Sequence, residues 1–188
     1  AFDISEGLAR AACAGEVDGE VVDLRTVLDK DCELNILTAR DEKGLAVLRH
    51  TASHVMAEAV QTLFPEAKVA IGPSIDTGFY YDFECQSFSR DDLDAIEKEM
   101  KKIIKKGAKI ERFTKSREDA IAFFKEKNEP YKVELIEDLP EGEEISFYSQ
   151  GDWVDLCAGP HLMSTKGIKA FKPVSYTHLR AHETLMNL

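Results

Sequence analysis

Along residues 45–63 the apolar positions Leu45, Leu48, Ala52, Val55, Met56, Ala59 and Leu63 recur at steps of three and four, and Pro65 closes the run. That period predicts a helix of about five turns with one apolar stripe. Ser89 with Asp92 opens a second helix whose inward positions are Leu93, Ile96, Met100, Ile103 and Ile104, and Ser116 with Asp119 opens a third with Ala120, Phe123 and Phe124 inward. Between and after the helices, short apolar runs predict strands at residues 68–71, 78–85, 108–114, 131–136, 144–148, 153–156 and 168–171. Ahead of the long helix lie a helical turn at residues 4–12 and strand-like runs at 20–24 and 33–37, with Asp18-Gly19 as a turn, which is too little for a stable sheet alone. The polar run 38–44, ending on Gly44, reads as a linker and places a domain boundary near residue 40. Helices interleaved with irregularly spaced short strands predict an α+β fold with a mostly antiparallel sheet packed against helices.

Composition narrows the function classes. The 188 residues, 44% hydrophobic, suffice for one good core or a small module and a medium one. No apolar stretch approaches the roughly 20 residues of a membrane span. Cys13, Cys32, Cys85 and Cys157 lack the dense spacing of a disulfide scaffold. With no charged-then-apolar leader, a cytoplasmic protein without a membrane partner is expected. The opening on Ala1 is expected to reflect a truncated start. A net charge of -11 argues against binding nucleic acid by overall attraction, so any such contact is local. The one basic stretch, residues 98–117, reads as a solvated helix face before a phosphate-tracking surface.

The candidate chemistry sits in two clusters. His50 and His54 stand four apart on the long helix, on a face turned away from the Leu48/Ala52/Ala59 stripe, and are expected to look into a cleft or solvent. Cys157-Ala158-Gly159-Pro160-His161 adds a thiol and a third imidazole in a tight turn after a strand. Such a set would ligate zinc tetrahedrally, or would form a hydrolytic site in which imidazoles move protons to and from a bound water. A structural zinc knot or a non-catalytic RNA-binding module is the alternative. His178 and His182 repeat the spacing by coincidence.

Three segments together, Leu48-Arg49-His50-Thr51-Ala52-Ser53-His54, Ala70-Ile71-Gly72-Pro73 with Gly78-Phe79-Tyr80-Tyr81-Asp82, and Gly151 through His161, resemble the editing domain of bacterial threonyl-tRNA synthetases. The resemblance implies a partial TGS module, a truncated β-grasp piece, at residues 1–40, an editing domain at 41–171 and a non-family tail at 172–188. It implies hydrolysis of serine from tRNA(Thr) at a site of His50, His54, Lys132, Cys157 and His161, with Tyr81 and Asp155 recognising substrate. His50 and Lys132 would handle water and the oxyanion, the other three positioning. Taken alone, Lys132 reads as an exposed lysine and Tyr81 as a packed tyrosine. By this resemblance the cleft edits without metal, although His50, His54, Cys157 and His161 remain a candidate zinc set. ATP and a threonine-reading zinc belong to a catalytic core absent here, and the parent ligase would be a homodimer through other absent domains. Alanyl-type trans-editing deacylases share only the two His/Cys pieces and are the nearest alternative.

Overall fold

A computed structural model describes residues 1–177, so His178 and His182 lie outside the described residues. The fold is α+β, and every strand pairing is antiparallel. Ser5 caps α1 (Glu6–Ala11), which runs straight into β1 (Ala12–Val17). Asp18 and Gly19, both at positive φ, turn the chain into β2 (Glu20–Val22), and β3 (Leu34–Thr38) pairs on the other side of β1. The sequence reading missed β1, because Ala-Cys-Ala-Gly carries little β propensity. Nor does this sheet stand alone: Cys13, Ala14 and Leu37 join Val47, Ala52, Val55, Met100 and Ile103 in one core.

The run 38–44 is not an open linker. Only residues 39–41 separate β3 from α2 (Glu42–Leu63), and Gly44 lies buried in the first turn of that helix. A Cβ there would fall 2.1 Å from the Thr38 carbonyl oxygen, so the helix needs glycine to approach β3. The predicted single stripe on α2 is also corrected: Thr51, Ala52, Ser53, His54 and Val55 are buried in succession, because the helix runs through the middle of the molecule. One side packs on β1, β3 and α3 (Arg90–Lys106) and the other on Val69 and Tyr81.

Four two-residue strands follow α2 and replace the longer ones expected at 68–71 and 78–85: β4 (Lys68–Val69) pairs with β7 (Phe83–Glu84), and β5 (Ser74–Ile75) with β6 (Gly78–Phe79). The Ser89/Asp92 capping box opens α3 as predicted, and Gly107 at φ 67° closes it. A second sheet of order β10-β9-β8 comprises β8 (Ile110–Lys115), β9 (Ile145–Gln150) and β10 (Trp153–Leu156). It packs on α4 (Arg117–Glu126) and α5 (Pro130–Asp138) through Ala120, Phe124, Ile136, Ile145 and Phe147. Residues 131–136 are thus helix, not strand: Pro130 occupies the first helical turn, and Lys132 and Ile136, one turn apart, are both buried. Residues 168–171 form no strand either; after a 3-10 turn (Thr165–Gly167) the chain is irregular, with Ile168 buried.

Within the basic stretch, Lys101, Lys102, Lys109 and Arg112 each pair with a carboxylate, on Glu97, Glu99, Glu111 and Glu144. That pairing supports the solvated-face reading over a phosphate track. Lys172 pairs with Glu97, and the Tyr176 ring lies 6.3 Å from that of Phe88. Among the described residues no helix is long and apolar enough to cross a membrane.

Candidate functional site

The middle of α2 delivers His50 and His54, and the loop after β10 delivers Cys157 and His161. Gln150 at the end of β9 locks the two together by donating to the His54 carbonyl at 3.3 Å and to the Glu58 carboxylate at 2.6 Å. The four candidate ligand atoms all lie within 4.8 Å of one another. Cys157 Sγ is 3.4 Å from His50 Nε2 and 3.2 Å from His161 Nε2, and it accepts the Gly159 N–H at 3.2 Å. His50 and Cys157 are half-buried, whereas His54 (4% exposed) and His161 (1%) are enclosed. The expectation that both helix imidazoles face open space therefore holds in part for His50 and fails for His54, which other elements cover.

A second, wholly buried group backs the first. Lys132 on α5 places Nζ 2.7 Å from Asp155 Oδ1 and 3.0 Å from the Tyr81 hydroxyl, which itself donates to Asp155 Oδ2. Asp155 Oδ2 lies 3.6 Å from His54 Nε2, joining the two groups. Lys132 is 2% exposed, so the surface-lysine reading is overturned. Tyr81 is packed, as read, but with its hydroxyl committed. Glu129, just ahead of Lys132, fixes the start of α5 by accepting from Gln61 on α2 and from the Val69 N–H. All seven candidate residues thus meet around one centre.

The electrostatics follow from burial. It drives the His50 and His161 pKa values below the ordinary 6.5, and that of His54 to about 3 despite the nearby Asp155 carboxylate. Burial, then Asp155, push the Cys157 thiol up to about 12. Asp155 is itself penalised by burial, but the Lys132 charge and the hydrogen bonds from Lys132 and Tyr81 outweigh that and hold it below the usual carboxylate value. Near pH 7 the cluster is therefore three neutral imidazoles and a thiol beside the Lys132–Asp155 ion pair.

Thr51, which the sequence reading passed over, sets one tautomer. Its hydroxyl donates to the Val47 carbonyl and accepts the Leu162 N–H, so His161 Nδ1, 3.2 Å away, must be the donor in that contact. The Nε2 lone pair of His161 then faces Cys157. Only the fold brings residues 51 and 161 together; the sequence carried no signal for it. Tetrahedral zinc with N and S ligands requires donors about 3.3–3.8 Å apart. Cys157 Sγ lies close to that from His50 and His161, and with all four atoms within 4.8 Å of one another the set has the ligand types such an ion takes, at spacings that would have to tighten around it. A cavity of about 420 Å³ lies behind the Ala158–Pro160 turn, against Asp23, Arg25, Arg112 and Tyr148, and none of the seven candidate residues lines it.

Comparison with known proteins gives two family matches. Residues 1–38 match the TGS domain, and residues 145–181 match the "Threonyl and Alanyl tRNA synthetase second additional domain". The chain is 63% identical to a threonine–tRNA ligase of Acetivibrio thermocellus over 93% of its length, covering 28% of that relative. It is 57% identical to the threonine–tRNA ligase of Caldanaerobacter subterraneus subsp. tengcongensis, covering 27% of it, and 60% identical to that of Clostridium botulinum, covering 28%. The chain thus spans little more than a quarter of the length of these relatives.

Proposed function

Since the chain belongs to the threonine–tRNA ligase family, whose amino-terminal region it matches, we propose that it is the proofreading part of such a ligase, hydrolysing the ester that joins serine to tRNA(Thr). The observation that supports this most is the convergence of His50, His54, Cys157 and His161 on a buried Lys132–Asp155–Tyr81 network.

Hydrolysis adds a water oxygen to the ester carbonyl, breaks the bond to the terminal ribose oxygen and returns a proton to that oxygen. His50 is half-open and, with its pKa lowered by burial, neutral near pH 7, so it can accept the proton of an attacking water. Lys132 commits two of its three donors, to Asp155 and Tyr81. The third is left for the developing oxyanion, and it needs no reorganisation because the ammonium is already held. His54, Cys157 and His161 shape the wall. The Tyr81 hydroxyl and the Asp155 carboxylate are spent on the network, so their part in recognising serine or the terminal adenosine acts through shape and through Lys132.

The cleft works without a metal in this reading, as the resemblance to threonyl editing domains implies. A zinc ion held by the four side chains would instead polarise the water or the carbonyl. One retained equivalent of zinc, with activity lost on its removal, would reverse the choice. The reading itself is tested by presenting the chain with seryl-tRNA(Thr) and alanyl-tRNA(Ala). Release of serine in preference to alanine is expected. The reverse preference would make this an alanyl-type deacylase, and no release from either would leave a structural or RNA-binding module.

A further inference from the structure

The loop after β2 reaches across the molecule to the turn that carries Cys157 and His161. Asp23 closes a tight turn on itself, accepting the Arg25 N–H at 2.9 Å and pairing with the Arg25 guanidinium at 2.7 Å. From that brace Arg25 donates to the Leu162 carbonyl at 3.1 Å, the His161 carbonyl at 3.4 Å and the Ile110 carbonyl. Asp23 Oδ2 accepts the Tyr148 hydroxyl at 2.9 Å and faces the His161 N–H at 3.5 Å. Tyr148 in turn presses on the turn: its ring lies 4.5 Å from that of His161, and a Cβ on Gly159 would fall 2.1 Å from its hydroxyl. On the opposite side the turn is fixed to α2 by the Leu162 N–H to Thr51.

We infer that Asp23 and Arg25 are positioning residues for the hydrolytic site, so that the amino-terminal β module is a working part of it rather than an appendage. This rests on the proofreading reading above. Neither side chain touches a candidate catalytic atom; both grip the backbone between His161 and Leu162 and so set where the His161 ring stands, with its Nε2 3.2 Å from the Cys157 thiol, while Ser146 holds the Cys157 backbone. Ser146 holds the Cys157 end of the turn and the core holds Leu162, but between them Ala158–Pro160 line a cavity of about 420 Å³, and there Asp23, Arg25 and Tyr148 are what the turn meets. The apolar contact of the same module with the core runs through Cys13, Ala14 and Leu37, with Val21 packed against them, and involves neither Asp23 nor Arg25. Loss of the clamp therefore leaves the module docked and the turn loose.

The test compares Asp23→Ala and Arg25→Ala with the conservative Asp23→Asn and Arg25→Lys, and with Leu37→Val as a variant that weakens the same module without touching the turn. Displacement of a catalytic group by about 1 Å costs up to about 10²-fold, so both alanine variants should lower kcat for seryl-tRNA deacylation by at least about tenfold with KM within about twofold. The conservative variants should recover part of that loss, and Leu37→Val should lower the melting temperature while keeping kcat. Iodoacetamide labelling of Cys157, followed by peptide mass spectrometry, should be at least several-fold faster in the alanine variants. A kcat loss no greater than that of Leu37→Val overturns the inference, and so does unchanged Cys157 labelling. If the wild-type chain releases no serine, the proofreading reading fails instead, and the labelling still decides whether the clamp holds the turn.

Discussion

Lys132 shows how far one residue's role depends on its surroundings. An ammonium that is 2% exposed and paired with an equally buried carboxylate cannot be removed quietly, since Asp155 would be left charged and without its partner. Lys132→Ala should slow deacylation by about 10²-fold or more and also cost about 3–5 kcal/mol of stability, read from urea unfolding. His50→Ala, at a half-open position, should slow deacylation similarly with little change in stability, and Lys105→Ala, on an exposed face, should do neither. Equal rates for all three would sink the assignment. The buried histidines predict a pH dependence of stability. Each is neutral in both folded and unfolded chains above about pH 6.5, where its contribution is fully present. As pH falls below that, the unfolded chain takes up protons that the folded one refuses, down to about 3 at His54. Stability should therefore drop between pH 6.5 and 4 by up to ~1.4 kcal/mol per pH unit for each such histidine. Urea midpoints at pH 7.5 and 5 in the presence of chelator measure this, and a flat profile would contradict the buried, neutral cluster.

Among the elements, α2 was legible in its length and missed in its surroundings. Its period marked a helix, but an apolar period alone is ambiguous between a surface helix with one face inward and a central helix packed closely all round. Gly44 marks the difference, because its contact with Thr38 brings the first sheet onto the start of the helix. Gly44→Ala should lower stability by about 1–3 kcal/mol through overpacking, whereas Gly7→Ala in α1, where an added Cβ would meet only Ser5 Oγ at an ordinary 3.9 Å, should be neutral or slightly stabilising. Equal urea midpoints for the two would show that the approach is looser than described. Residues 131–136 were misread because Tyr-Lys-Val-Glu-Leu-Ile alternates as a strand would, while the Pro130 start and the i, i+4 burial of Lys132 and Ile136 emerge only once α5 packs on the second sheet. That error also hid the burial of Lys132, since a strand edge would have left it in solvent.

For the whole molecule, the prediction is selectivity: release of serine from seryl-tRNA(Thr) much faster than of threonine from threonyl-tRNA. A synthetic site large enough for threonine admits serine, and one missing methyl is worth only about 1–3 kcal/mol of discrimination, so a second site must exclude the larger side chain sterically. Equal release of the two amino acids would count against such exclusion. By itself the sequence determined the α+β class, three helices, two of them with their serine caps, and the His50/His54 and Cys157/His161 clusters, because periodicity, capping residues and spacing are local properties that survive without neighbours. Through the resemblance of its motifs it also pointed to Tyr81, Lys132 and Asp155. Only the tertiary structure decided that Lys132 is buried against Asp155, that Thr51 sets the tautomer of His161, and that Asp23 and Arg25 reach the same turn. Each of those facts is a contact between segments about 25 to 140 residues apart, and which distant segments meet is settled by how the helices and sheets pack together, which no local pattern records.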